Sequence, residues 1–186
     1  MPIRLGVLAL QGDYEAHTKA FREAGAEPFE VRTAEDLRRT DALVLPGGES
    51  TTMLKLLHHE KLWDGLREFV SSKPVFATCA GAILLARHVT QPEQESLGGV
   101  DIDVVRNGYG RQLQSSVEKL ALSDGEMEAV FIRAPIIRRT GAEVEVLARH
   151  KGDPVLVRQG KRLVATFHPE LSGDRRLQRL FLEMAQ

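Results

Sequence analysis

Apolar and polar positions fall into two textures along this chain. From residue 3 to residue 10 (IRLGVLAL) nearly every position is apolar, and the run closes at Gln11-Gly12. A helix-period set follows, His17, Ala20, Phe21 and Ala24, and stops at Gly25. That pairing predicts a strand buried on both faces and then an amphipathic helix. The alternation repeats. A short strand is expected over 27–32, then a small helix opened by Thr33 with Asp36 three residues on, then a second buried strand, ALVLP, at 42–46. Helical patterns at 50–59 and 61–72 lead to a third buried strand, Pro74 to Thr78, and to a helix containing Ala82 to Ala86. Strands apolar on both sides belong in a parallel sheet, because crossover helices cover both of its faces.

After about residue 98 the texture changes. VDIDVV, AEVEVLAR and DPVLVRQGKRLVATF alternate with period two, and Gly152-Asp153 and Gln159-Gly160 mark turns. A last amphipathic stretch from Gly173 to Met184 predicts a closing helix. The expected fold class is therefore α/β and three-layer: a mostly parallel, flavodoxin-like sheet flanked by helices, with a strand-rich C-terminal half. No repeat or linker divides the chain, so residues 1–186 are expected to form one domain, large enough to bury a core without a disulfide or metal.

Composition narrows the function classes. With 42% hydrophobic and 27% charged residues and a net charge of -1, the chain gives no reason to expect a nucleic acid partner. No run approaches the roughly 18 apolar residues of a membrane span. A single cysteine cannot form an internal disulfide, and MPIRLGVLALQGD lacks a signal peptide's length and cleavage region, so a cytoplasmic location is expected. Asn107 is the only asparagine, which together with the lone cysteine and the many arginines leans toward a heat-adapted source.

In open parallel sheets, ligands bind beyond the carboxyl ends of the strands. Three such ends carry unusual residues: Gln11-Gly12, Pro46-Gly47-Gly48-Glu49-Ser50 and Thr78-Cys79-Ala80-Gly81. If their strands are neighbours, the loops face one crevice. Cys79 would then sit at a strand-to-helix turn, where unpaired N–H groups and the dipole favour an anion, and Ala80 and Gly81 allow a tight turn. Two readings of Cys79 stand at this point, a packed thiol and a nucleophile.

A nucleophilic cysteine needs a base, and the base needs an orienting partner. His58 and His59 lie among polar residues on a predicted helix and read as solvated; His17, His88 and His150 have no carboxylate in an informative arrangement. His168 differs, because it ends the strand-like LVATF and is followed by Pro169-Glu170. Residues two apart in extended chain point the same way, so Glu170 can share a face with His168 and fix its tautomer; a plain surface turn is the other reading. The double glycine of PGGES suits an oxyanion hole shared with the Ala80 amide, and the same loop can start a helix with Ser50 or Thr51 as N-cap.

Taken together, PGGES, TCAG and FHPEL in that order resemble the class I (triad) glutamine amidotransferases. LALQGDYEAH (8–17), LPGGESTTM (45–53), FATCAGAILLA (76–86), VRNGYGRQ (105–112), FIRAP (131–135) and FHPEL (167–171) are similar to the glutaminase subunits of pyridoxal 5'-phosphate synthase. The likeness runs almost end to end. It implies hydrolysis of L-glutamine to glutamate and ammonia, with ammonia passed to a synthase subunit that builds pyridoxal phosphate, and it implies neither cofactor nor metal in this chain. It also implies roles: Cys79 as nucleophile, His168 as base and then acid, Glu170 as its orienting partner, and the Gly48 and Ala80 amides as oxyanion donors. Gly47, Gly48 and Glu49 would border the glutamine, Arg106 would help bind it, and Ile132 and Arg133 would line the site. Gln11 is placed by topology at the crevice, as a candidate for contact with the partner. Two departures from the family pattern are local, Gly108-Tyr109 and Asp13-Tyr14.

Two competing readings make distinct demands. A glyoxalase-like cysteine hydrolase would also place a cysteine at a strand-to-helix elbow, but it gives no reason for GGES to pair with HPE. A silent scaffolding module predicts a damaged triad, whereas all three candidates are present.

Overall fold

The computed structural model describes residues 1–107 and 115–186. In chain order, β1 (Leu5–Leu8), α1 (Tyr14–Glu23), β2 (Phe29–Val31), α2 (Ala34–Arg38) and β3 (Ala42–Leu45) are followed by α3 (Ser50–His59), α4 (Trp63–Ser72), β4 (Val75–Thr78) and α5 (Ala80–Leu85). Then come β5 (Ala86–Thr90), β6 (Val100–Val105), β7 (Ser115–Leu122), β8 (Gly125–Ile132), β9 (Ile136–Thr140), β10 (Glu145–His150), β11 (Asp153–Gln159) and β12 (Arg162–Ala165). A 3-10 turn at Pro169–Leu171 and α6 (Arg176–Ala185) close the chain. No helix among the described residues is long and apolar enough to cross a membrane.

Seven strands form the main sheet in the order β10-β11-β12-β4-β3-β1-β2. The five from β2 to β12 run parallel, and β11 and β10 extend that edge antiparallel. Alternation along β3 explains the layers. Leu43 and Leu45 enter one core with Met53, Leu57, Leu66 and Leu84 from α3, α4 and α5; Ala42 and Val44 enter the other with Phe21 of α1 and Phe181 of α6. Phe76 of β4 stacks on Phe181 at 5.5 Å between ring centroids and meets Phe21 edge-on at 5.9 Å, which ties both helices to the middle of the sheet. Each fully buried leucine or phenylalanine contributes about 1.5–3 kcal/mol. Helices on both faces therefore follow from strands that are apolar on both faces.

The predicted helix over Ala82 to Ala86 is corrected at its end. Ala86 turns extended (φ -60°, ψ 158°) and begins β5, without a connecting loop. The carbonyls of Leu84, Leu85 and Ala86 accept the N–H groups of Leu97 (2.7 Å), Gly99 (2.9 Å) and Gly98 (3.0 Å), so a returning segment satisfies the groups a helix end leaves free. β5 pairs with β6, and β6 with β9, in a three-stranded sheet; β7 and β8 form a separate hairpin whose inner face (Leu120, Met127, Ala129, Phe131) covers the Phe167 side of the core. The hairpin delivers Ile132 and Arg133 to the carboxyl edge of the main sheet.

α5 docks on β3 as closely as backbones allow. A Cβ added at Gly81 would lie 2.2 Å from the Leu45 carbonyl oxygen. Gly81→Ala is expected to cost about 1–3 kcal/mol, as overpacking does, read as a lower urea midpoint; an unchanged midpoint would contradict this contact.

Candidate active site

The strand order β12-β4-β3-β1 puts the ends of the three motif-bearing strands side by side and adds a fourth. Ala165, the last residue of β12, pairs with Thr78, and its carbonyl accepts the Cys79 N–H at 3.0 Å. Three residues later the His168 N–H is anchored on the Val130 carbonyl of β8 at 2.8 Å. Cys79 is in the left-handed region, φ 48° and ψ -108°, which a side chain rarely adopts, so the strand-to-helix elbow carries backbone strain where it presents the thiol. The Sγ lies 3.8 Å from the Ile132 carbonyl oxygen, and the residue is 7% exposed.

His168 Nδ1 meets Glu170 Oε1 at 2.6 Å, with both residues buried. Asp13 Oδ2 approaches the same nitrogen at 3.4 Å. Behind them His17 is wholly buried; its Nε2 is 3.0 Å from the Thr78 hydroxyl, 3.4 Å from Glu170 Oε2 and 3.9 Å from Asp13 Oδ1. The electrostatics follow from this crowding. Burial works to lower the His168 imidazolium, but hydrogen bonds to Asp13, Cys79 and Glu170, and the charge of a Cys79 thiolate, outweigh it and push the group up to about 12. Burial raises Glu170 above the usual carboxylate range; the His168 bond opposes the rise, while Asp13 adds to it. Burial also works to raise Asp13, yet the close polar approach of His168 and Glu170 and the charge of the nearby imidazoles hold it well below the usual carboxylate range. His17 is lowered to about 4, chiefly by burial, so at neutral pH it is an uncharged hydrogen-bonding ring.

The PGGES loop lies opposite the thiol. Gly48 has φ +149°, and a Cβ there would meet Gln11 Oε1 at 2.4 Å; that oxygen accepts the Glu49 N–H at 2.9 Å. Gln11 thus ties the first strand end to this loop. Ser50 and Thr51 are not the N-cap of α3, in contrast to the expectation from sequence. Glu49 caps it, its carboxylate accepting the N–H groups of Thr51 (3.1 Å) and Thr52 (2.7 Å), because a longer side chain folded back from an extended residue reaches two free donors at once. Arg106 closes the side of the site, donating to the Thr51 hydroxyl at 2.8 Å and standing 3.6 Å from Glu49.

A cavity of about 630 Å³ opens over these groups. Cys79, Ala80 and His168 line it, as do Gly48 and Glu49. Gln11, Arg106, Ile132 and Arg133 complete its walls among the residues named from sequence. Gly47 and Glu170 sit behind: a Cβ on Gly47 would lie 2.6 Å from His168 Cε1, so the glycine leaves room for the imidazole beside the loop. The departure at Gly108-Tyr109 lies outside the described residues.

Asp13, His17 and Glu170 have donor atoms within 4.8 Å of one another, a spacing that suits a cation. Here Glu170 Oε1 is engaged by His168 and His17 Nε2 by the Thr78 hydroxyl, which makes the cluster a hydrogen-bond network around the imidazole. Sequence reasoning set His17 aside and saw Asp13 only as a departure. The signal was there: Asp13 and His17 are four apart on the first turns of a helix that starts at the crevice. His88 also finds a carboxylate, Asp103 at 3.0 Å, but on the exposed face of the small sheet.

Comparison with known proteins decides the family. A model described as the SNO glutamine amidotransferase family matches residues 7–186. The chain belongs to this family. A relative from Solibacter usitatus, named pyridoxal 5'-phosphate synthase subunit PdxT, is 56% identical over 96% of this chain and 97% of its own. One of the same name from Koribacter versatilis is 53% identical over 99% and 96%. A crystal structure titled as a glutamine amidotransferase superposes with a TM-score of 0.91 at 50% identity, covering 97% of this chain and 98% of that one. With the family shown, the glyoxalase-like reading is set aside.

The buried His17 makes this family member sensitive to acid. An unfolded imidazole takes up its proton near 6.5, the folded one only near 4. Between those values acid favours the unfolded chain, at up to about 1.4 kcal/mol per pH unit from this group. His17→Gln is expected to flatten the loss of stability between pH 6.5 and 4, as measured by urea midpoints across that range. Parallel curves for the two proteins would contradict a neutral, buried His17.

Proposed function

We propose that the whole chain acts as one glutaminase domain, working in the cytoplasm, that hydrolyses L-glutamine and hands the ammonia to a pyridoxal 5'-phosphate synthase subunit. The observation that carries this reading is the convergence of Cys79, the His168–Glu170 pair and the PGGES loop around one cavity. The names of the relatives supply the partner and the end product.

In this mechanism the Cys79 thiolate, paired with protonated His168, attacks the carboxamide carbon of glutamine. The new C–S bond pushes an electron pair onto the oxygen, which the Gly48 and Ala80 N–H groups stabilise. His168 then gives its proton to the departing nitrogen; the C–N bond breaks, and ammonia leaves a glutamyl thioester. Water, deprotonated by His168, attacks the thioester. The C–S bond breaks with sulfur leaving as thiolate, glutamate departs, and the proton taken from water stays on His168, which restores the starting pair. Glu170 keeps the Nδ1 edge of the ring turned inward, which leaves Nε2 free to face sulfur and substrate. Glu49 and Arg106, with Ile132 and Arg133, border the bound glutamine. Gln11 acts indirectly, by fixing the loop that carries the Gly48 amide.

Cys79→Ala is expected to bring glutamine-dependent ammonia release, assayed with the synthase partner present, down by at least about 10³-fold, and His168→Asn by a similar factor, because residues acting as one unit are not additive. Glu170→Gln should lose less. Near-normal turnover by Cys79→Ala would refute the assignment. Gln11→Ala is expected to lower kcat with the partner present, and unchanged basal and stimulated rates would remove Gln11 from the account.

A further inference from the structure

Asp13 stands where a helix normally finds its cap. It is the residue preceding α1, yet its side chain makes no capping hydrogen bond. The carboxylate turns away from the helix, and both of its oxygens are buried without a conventional hydrogen-bond donor among the described residues. An aspartate that gives up the N-terminal amides forfeits the stabilisation that capping supplies. What it gains lies on the other side. Oδ2 is 3.4 Å from His168 Nδ1, the nitrogen that Glu170 Oε1 holds at 2.6 Å, and Oδ1 is 3.9 Å from His17 Nε2.

Two carboxylates therefore share one imidazole edge. Glu170 reaches it from the turn after β12 and Asp13 from the start of α1, so the two approaches are independent in the fold. His17 spans their rear, 3.4 Å from Glu170 Oε2, and is itself held by Thr78, the residue before the elbow. The charged and titratable groups facing Asp13 are His17 on its own helix, Glu170 and His168 beyond β12, and Cys79 across the ring. Only His168 offers Asp13 a proton that both carboxylates compete for.

We propose that Asp13 is a second positioning carboxylate for His168, able to hold the Nδ1–H when Glu170 cannot, so that the orienting function is divided between two acids from opposite ends of the chain. This rests on the reading of Cys79 and His168 as nucleophile and base. At rest Glu170 accepts the Nδ1–H and Asp13 supplies a negative charge beside the ring; where Glu170 cannot hold that proton, a small rotation of the ring carries the same N–H to Asp13 Oδ2. The proton stays on Nδ1 throughout, and Nε2 keeps facing the thiol. The pair titrating apart, with one carboxyl raised and the other lowered, agrees with two acids crowded on one cation.

The test is a double-mutant cycle in the full chain, assayed for glutamine-dependent ammonia release with the synthase partner present. Asp13→Asn keeps the shape and removes the charge. It is expected to lower kcat by about 3- to 10-fold with KM unchanged, Glu170→Gln by about 10-fold, and the two together by at least about 10³-fold, well beyond the product of the single effects. Asp13→Ser, which changes shape as well, should match Asp13→Asn if charge is what matters. Nitrogen NMR of labelled histidine gives the second readout, one that a merely structural aspartate would not move. The His168 Nδ1–H should stay hydrogen-bonded, read as a downfield-shifted proton, in Glu170→Gln and lose that bond in the double variant. A double variant no worse than Glu170→Gln, or one that retains the downfield, hydrogen-bonded Nδ1–H, overturns the role of Asp13 even while His168→Asn remains inactive. Activity in His168→Asn would instead overturn the underlying reading together with this one.

Discussion

The parallel pairing of β4 with β12 is the constraint on which the site depends. The two strands are separated by more than eighty residues of sequence, and the register Ala165 to Thr78, extended by the bond from the Cys79 N–H to the Ala165 carbonyl, fixes where the chain leaves each strand. Sulfur and imidazole come from those two exits. Parallel strands side by side need crossovers, so the long excursion between β4 and β12 is free to become the small sheet and the hairpin that wall the cavity. Both core layers serve this register: Ala77 and Val164 pack into one, Phe76, Leu163 and Ala165 into the other.

Much of this was legible in the sequence because period-two and all-apolar runs report directly on burial. Strands β1, β3 and β4, their following helices, and the β11–β12 turn appear at or within a few residues of their expected places. The capping box at Thr33 and Asp36 is present as read. What the sequence hid lies where two demands compete for one residue. Ala86 has good helix propensity, yet the 97–99 segment takes the helix-end carbonyls and the chain goes straight into β5. Ser50 and Thr51 are favoured caps, but Glu49 reaches the same donors from the extended side. His17 looked like an ordinary apolar-face histidine. Only the tertiary fold, by bringing Glu170 across from the far terminus, gave it a buried carboxylate.

The site joins charge and burial in a way that ordinary cores avoid. An imidazole and two carboxylates lie within a few ångströms with their polar atoms largely out of water, and the His168–Glu170 hydrogen bond and the charge of Asp13 offset the cost of desolvation only while all stay in place. Strain at Cys79 belongs to the same account: a left-handed elbow is held by the Ala165 hydrogen bond on one side and by the close docking of α5 on β3 on the other. As an SNO family glutamine amidotransferase, the protein places a positive-φ elbow and a crowd of buried charges at the same cavity.

The central claim is that Cys79 is a nucleophile set among these groups, and covalent trapping tests it most directly. The chain, with its synthase partner present, would be treated with an electrophile that mimics glutamine, and the modified residue located by peptide mass spectrometry. One adduct per chain on Cys79, prevented by excess glutamine, is the predicted result; an unmodified Cys79 under conditions where the complex turns over glutamine would contradict the account.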